Sequence, residues 1–404
     1  MSQKSSLPQP DKSDSIVLIP DNMYGPRVFE TYKSDWETFQ VGAPLAWHSY
    51  PETAPICTNR PWLPPGSLVL ASLHKFGNID LATGPPPDGI RHVLVAQNRK
   101  LVRYLTAYGE KAFNSIVDNG LDRPIDIEPS DQPPKKQPPN KTRMEHGTIT
   151  LKSAWIEMTK DIDNPEAFYV RDAWVQDPLE QTCEPVKVGL VGLHIAHKTE
   201  ASPQWLWTSF EHVKNVPPRG AVGEGGYTFN DGRSQMPTSP PPEARLTMRN
   251  FKIPPPYNVD RWKSIPEAIQ KVNRDWRVKL SYGGSVWSNY ELVVVQWPGI
   301  PHDEDRTGSG LQIGGQYSAS PTPPCREETD ASLANSVIET FVQPHTACTK
   351  RTTCMSCHNE ARSYDFIWSI PIAHEQMAKT GGPPRARRSS VSILREIVEQ
   401  EMRP

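Results

Sequence analysis

The sequence predicts an α+β fold: a large mixed domain with long Pro/Gly-rich loops, followed by a small helical segment near the C-terminus. Predicted strands and helices come in blocks rather than in regular alternation, which argues against a doubly wound sheet. The 43 prolines among 404 residues are about twice the usual frequency and predict long coil connections. A hydrophobic content of 36% with 12 tryptophans fits a folded chain.

Two helices and three strands are predicted in the first 300 residues. Leu101, Leu105 and Tyr108 have helical spacing, so a helix is predicted over 97–117. A capping-box pattern at Ser264 with Pro266 in the first turn predicts a second helix that ends near residue 279. Strands are predicted at 148–158, 188–197 and 290–297, the last of them buried because residues 292–295 are all apolar.

Composition divides the chain into five parts. Residues 1–23 are predicted to be a flexible N-terminus, 24–300 the large α+β domain and 301–327 a loop or linker. Leu333, Val337 and Phe341 at i, i+4 and i+8 predict a helix over 331–341, at the start of a helical segment that covers 328–378. Residues 379–404 are predicted to be a basic linker with a short final helix.

The charge balance excludes two classes of partner. The formal net charge is −2, so neither a nucleic acid nor a charged membrane surface is expected to bind. No apolar run approaches the ~18–20 residues that span a bilayer. The apolar run at 16–19 is too short for a signal peptide, so the chain as given is expected to carry no export signal.

The sharpest motif is the pentapeptide CMSCH, formed by Cys354, Cys357 and His358 with two residues between the cysteines. Two thiols at this spacing can add to the two vinyl groups of one haem, while the adjacent histidine binds the iron as the proximal ligand. Composition alone would produce the pattern about 0.002 times in a chain of this length. The motif therefore predicts a covalently attached haem c.

The surrounding residues suggest how such a haem would be enclosed. Phe341 before the motif, and Phe366 and Trp368 after it, offer the aromatic wall that keeps water from a haem. His374 and Met377 are the candidate distal ligands, because Pro371 interrupts any helix and leaves them on a bend.

Two other interpretations of the cysteine cluster stay open. Cys348, Cys354, Cys357 and His358 together offer three thiolates and an imidazole for zinc, although adjacent residues rarely converge on one tetrahedral ion. The cluster is alternatively an ordinary core around a disulfide or thiol pair. Outside Cys354 and Cys357, four cysteines allow three disulfide connectivities or none, and Cys325 with Cys348 is the expected pair.

Several stretches in a fixed order resemble a group of uncharacterised proteobacterial cytochrome c-like proteins with a single C-terminal CxxCH motif. They are 28–39 (VFETYKSDWETF), 94–108 (LVAQNRKLVRYLTAY), 188–217, 289–298 (NYELVVVQWP), 333–341 (LANSVIETF) and CMSCH with Asp365 and Phe366 after it. The resemblance covers most of the chain from about residue 28 to 370. It implies a periplasmic or secreted haem protein and a redox partner protein.

Three functions are compatible with these features. The first is a monohaem protein with an electron-transfer or redox role. The second is a haem-dependent oxidoreductase or peroxidase-like enzyme whose large domain binds a small molecule or a glycan; Trp205 and Trp207 offer rings for sugar stacking, although core packing explains them better. The third is a non-haem secreted interaction protein with a structural cysteine or zinc cluster.

Overall fold

A computed structural model places the chain around one extended sheet. It describes residues 32–38, 57–60, 63–64, 67–71, 102–119, 143–160, 162–176, 182–218, 221, 225–233, 261, 264–298, 313–315, 335–338, 358, 361 and 364–370. No helix within these ranges is long and apolar enough to cross a membrane.

Within the described residues, nine strands form the sheet. They are β1 (Lys33–Ser34), β2 (Val69–Leu70), β3 (Val102–Tyr108), β4 (Ile149–Glu157), β5 (Val170–Gln176), β6 (Cys183–Thr199), β7 (Ser202–His212), β8 (Tyr290–Pro298) and β9 (Ile313–Gly315). The strand order is β1-β3-β4-β6-β7-β8-β9, and β5 pairs with β2 and with the first part of β6. Every pairing is antiparallel except β2 with β5.

Helices are few beside this sheet. The single turn α1 (Asp35–Thr38) follows β1, α2 (Glu110–Asp118) follows β3, and α3 (Glu267–Tyr282) precedes β8. Short 3₁₀ turns lie at Pro165–Ala167 and Val286–Asn289. The predicted α+β class is therefore wrong, because the described residues form a β-rich fold.

The predicted helix at 97–117 is the main source of this error. Residues 102–108 form β3, which lies between β1 and β4, and α2 begins only after Gly109. Six of the seven side chains of β3 are buried, so the strand lacks the alternation of apolar and polar residues that marks a half-exposed strand. Without that alternation, Leu105 and Tyr108 match a helical spacing as well as they match a buried strand.

The other predicted elements are mostly confirmed. The strands at 148–158 and 290–297 correspond to β4 and β8, and that at 188–197 lies inside the longer β6. The helix expected after Ser264 is α3, but its N-cap is Pro266 and no side chain caps it, so the capping box does not form.

The helix predicted over 331–341 is wrong where the structure describes it. Residues 336–338 form a turn, in which the side-chain oxygen of Asn335 accepts hydrogen bonds from the N–H groups of Val337 and Ile338, at 3.0 and 3.1 Å. Asn side chains favour such local bonds, which compete with helix formation. The predicted helical haem-attachment segment is not confirmed, and the final helix and the terminal segments lie outside the described residues.

A disulfide joins a distant segment to the sheet. Cys57 and Cys183 are bonded, and both are buried beside Leu63, Val69 and Trp174. Next to them, the amide of Asn59 accepts from the N–H of Cys183 at 2.8 Å and donates to its carbonyl at 3.2 Å. The expected partners Cys325 and Cys348 lie outside the described residues, so that pairing stays a prediction.

Two apolar layers cover the sheet. One contains Trp155, Leu190, Leu193 and Ile195. The other contains buried residues of β3, α2 and β7 together with the C-terminal segment: Tyr108, Phe113, Ile116, Trp205, Trp207, Phe366, Ile367 and Ile370. The segment that follows CMSCH therefore packs directly on the sheet.

Candidate functional site

The structure describes three of the residues that the CMSCH motif and its surroundings predict as a site. His358, Phe366 and Trp368 lie within the described residues. Cys354, Cys357, Phe341, His374 and Met377 lie outside them, so their predicted roles as attachment points, wall and distal ligands are not tested here. The site is therefore built around the imidazole of His358.

A hydrogen bond fixes the protonation pattern of the His358 ring. Its Nδ1 lies 2.6 Å from the backbone carbonyl oxygen of Phe366. Because a carbonyl only accepts, Nδ1 carries the proton, and in the neutral ring Nε2 then holds the lone pair. This is the arrangement of a metal-binding histidine, in which a hydrogen bond from one nitrogen orients the ring and raises the basicity of the other.

A tryptophan of β7 covers the same imidazole. The ring centroids of Trp207 and His358 are 3.8 Å apart and the planes are inclined by 36°. The indole Nε1–H of Trp207 donates to the carbonyl of Gln204 at 3.0 Å, so the indole is held in place by its own strand. Trp207 is only 7% exposed and Trp205 is fully buried, which leaves neither ring as a platform for a sugar from solvent.

The carbonyl that accepts from His358 belongs to a tight turn. Asp365 and Phe366 have φ values of 51° and 67°, in the left-handed region. The turn is closed by hydrogen bonds from the N–H of Phe366 to the carbonyl of Ala361 (3.0 Å) and from Ile367 to Tyr364 (3.1 Å). The ring of Phe366 points into the core, so its carbonyl is the group that reaches His358.

A buried ion pair holds this turn on the sheet. Nζ of Lys198, near the end of β6, lies 2.8 and 3.0 Å from the two carboxylate oxygens of Asp365. The side chains are 1% and 0% exposed. The same carboxylate accepts from the N–H of Met144 at 3.0 Å, and Arg143 lies 3.9 Å away. Three groups from two parts of the chain thus converge on Asp365.

Within the described residues, the predicted haem site consists of the imidazole of His358 and the apolar side chains beside it. Among the described ranges no group of three or more His, Cys, Asp or Glu side chains is placed to hold a metal ion. What the described residues provide is one oriented imidazole against an apolar layer that includes Trp207, Phe366 and Ile367. A haem iron needs a single proximal histidine and an apolar surrounding.

A second charged cluster lies elsewhere on the sheet. Glu211 of β7 is fully buried, pairs with Arg261, and accepts from the N–H and the hydroxyl of Ser336 at 2.8 Å each. Glu291 of β8 is its cross-strand neighbour and lies 3.4 Å from Arg261. Burial, and next the charge of Glu211, raise the pKa of Glu291 to about 7. This cluster fastens the turn at Ser336 to the sheet.

Two residues of the sheet near His358 and its turn carry no sequence motif that would place them there. Trp207 and Lys198 are more than 150 residues away in sequence, and only strand pairing brings them to the same face. The one sequence signal is the pair Asp365-Phe366, which belongs to the resembling stretches downstream of CMSCH.

No protein-family model, no curated protein and no solved structure matches the chain.

Proposed function

We propose that this protein is a c-type haem protein with a single haem, attached through Cys354 and Cys357, and with an electron-transfer or redox role. His358 is its proximal ligand. One observation carries the proposal. His358, which is the residue that the CMSCH motif assigns to the iron, donates from its Nδ1–H to the Phe366 carbonyl at 2.6 Å. A haem bound there supplies a centre that gains and loses one electron reversibly.

The chain's own residues orient the proximal ligand and shield it from water. His358 presents the lone pair of Nε2, because the Phe366 carbonyl holds the proton on Nδ1. Trp207 covers one face of the imidazole and keeps water from it. Phe366 and Ile367 anchor the following turn in the core, so that the imidazole keeps one orientation through both oxidation states. Such rigidity suits a residue that serves electron transfer rather than proton transfer.

The disulfide supports the proposed location. Disulfides persist in oxidising compartments and are rare in reducing ones. A buried Cys57–Cys183 bond fits the periplasmic or secreted location that the resemblance implies. A partner protein that supplies or removes the electron belongs to this proposal, and His374 and Met377 remain the proposed distal ligands.

The test is to express the chain with a periplasmic leader beside the haem-maturation machinery. We expect haem to stay with the protein through acid–acetone extraction and to give a pyridine-haem spectrum of the thioether type. Cys354→Ser with Cys357→Ser should release the haem on extraction, whereas the control Cys325→Ser with Cys348→Ser should retain it. His358→Ala should convert the spectrum to that of a haem without its proximal imidazole.

Complete loss of haem on extraction from the unaltered chain would contradict the proposal. Stoichiometric zinc in that same preparation would favour the zinc cluster instead. If haem is retained, a low-spin ferric spectrum that becomes high-spin in His374→Ala assigns the distal ligand to His374. Loss of a sulfur–iron band in Met377→Ala assigns it to Met377.

A further inference from the structure

The turn that orients His358 has an unfavourable backbone. Left-handed φ values are uncommon outside glycine, asparagine and aspartate, and they are unfavourable for a bulky side chain. Here two successive residues, Asp365 and Phe366, adopt them. A bulky aromatic residue in this region persists only where its surroundings determine its conformation. Some interaction must therefore hold the turn.

The strongest interaction at the turn is the buried pair of Lys198 and Asp365. Both side chains are essentially inaccessible to solvent, and both carboxylate oxygens lie within 3.0 Å of the Lys198 ammonium. The backbone of Lys198 is fixed where β6 pairs with the start of β4, since its N–H donates to the carbonyl of Thr148 and its carbonyl accepts from the N–H of Gly147. The position of Asp365 is thus set by β6.

General stability does not explain why a charged pair occupies this place. A buried ion pair loses so much hydration that apolar residues of similar volume often stabilise a protein as well or better. What the pair provides is direction: it holds Asp365 at a defined point, and the next residue in the chain presents its carbonyl to Nδ1 of His358. Burial without directionality would leave that carbonyl free to turn away.

We infer that Lys198 and Asp365 are positioning residues which, through the Phe366 carbonyl, fix the tautomer of His358. The inference concerns the chain itself; its consequence for the iron rests on the proposed function. With the carbonyl in place, Nδ1 stays protonated and Nε2 becomes the more basic nitrogen. A more basic proximal ligand stabilises the ferric state, so the pair also lowers the reduction potential.

The first measurement uses the full chain without haem, in a Cys354→Ala, Cys357→Ala background. Nitrogen-15 NMR reports the tautomer of His358 at pH 8.5, about two units above the ordinary histidine pKa. The test variant is Lys198→Gln with Asp365→Asn, which removes both charges of the pair at nearly constant volume. We expect the Nδ1–H tautomer to dominate before the change and its population to fall roughly twofold or more after it.

Tyr290→Phe provides the control for a mere loss of stability. Tyr290 packs in the other apolar layer and makes its hydrogen bonds to Tyr169 and Leu190, so the tautomer of His358 should not change in that variant. The second measurement is the midpoint potential of the haem-loaded protein. We expect the double variant to raise it by about 59 mV, which corresponds to a tenfold change in the equilibrium of a one-electron couple, while Tyr290→Phe leaves it unchanged.

An unchanged tautomer in the folded double variant would overturn the inference, whether or not haem binds. A tautomer change in a chain that never retains haem would support the positioning role and defeat the proposed function. If the haem-free chain does not fold, the potential of the holoprotein decides: an unchanged value in the double variant overturns the inference, and a raised value supports it.

Discussion

Breaking the Cys57–Cys183 disulfide should substantially lower the free energy of unfolding. The two cysteines are 126 residues apart, so the bond closes a very long loop in the unfolded chain. The attached segment also contacts the sheet through the two hydrogen bonds of Asn59 to Cys183, the guanidinium of Arg60 over the Trp174 ring, and the two-residue strand β2 paired with β5.

The magnitude follows from the length of the loop. The entropy that cross-linking removes from the unfolded state grows with the logarithm of loop length and amounts to about 5 kcal/mol at 25 °C for a loop of this size. Replacing both cysteines by alanine also removes two buried sulfur atoms from a cluster with Leu63, Val69 and Trp174. The small cavity adds about 1 kcal/mol.

Urea unfolding with and without reductant separates the two contributions. The background is Cys325→Ser with Cys348→Ser, so that a second disulfide, if formed, does not contribute. Adding reductant should lower the free energy of unfolding by about 5 kcal/mol, and Cys57→Ala with Cys183→Ala should lower it by about 1 kcal/mol more. The alanine variant itself should not respond to reductant. A loss of less than about 1 kcal/mol on reduction would refute the loop-entropy reasoning.

Two further predictions concern buried polar groups on β8. Tyr290→Phe removes a hydroxyl that accepts from the N–H of Tyr169 at 2.9 Å and donates to the carbonyl of Leu190 at 2.8 Å. Two buried backbone groups lose their partner, so urea unfolding should show a loss of about 2–4 kcal/mol, and a loss below about 0.5 kcal/mol would contradict this assignment. Glu291→Gln tests the raised pKa of about 7 against the ordinary 4.5. Because a raised carboxyl pKa stabilises the folded state only while the group is protonated, the stability of the unaltered protein should fall as pH rises from about 4.5 to 7. The variant should match it near pH 4 and exceed it by about 2–3 kcal/mol at pH 8; equal stability at pH 8 would show that Glu211 and burial do not act on Glu291 as described.

Strands with clear local patterns could be predicted from the sequence. The apolar run at 292–295 and the alternating residues before 158 lie in β8 and β4. β5 and β7, in which tryptophans and polar residues interleave, are not predicted from the sequence. β6 extends back to Cys183, beyond the apolar run that marks its centre, because β5 pairs with its first part. The point at which such a strand begins is determined by its pairing with a distant strand, and a short stretch of sequence carries no information about that pairing.

The site shows the same division between local and long-range information. The proposed role of His358 rests on local information, since the motif that suggests it places two cysteines within four residues. The orientation of its ring depends on a turn eight residues later, whose left-handed residues are Asp365 and Phe366. Sequence rules place glycine or asparagine in such a turn, so nothing in these two residues predicts it.

What makes this turn possible is Lys198, 167 residues earlier in the chain. A lysine at the end of a strand is ordinarily solvent-exposed, and only the antiparallel pairing of β6 with β4 and β7 encloses this one beneath the C-terminal segment. A buried lysine needs a charged partner, and Asp365 is the carboxylate that reaches it. The ligand that the motif names is thus positioned by the sheet, and the turn that orients it forms only once the sheet is complete.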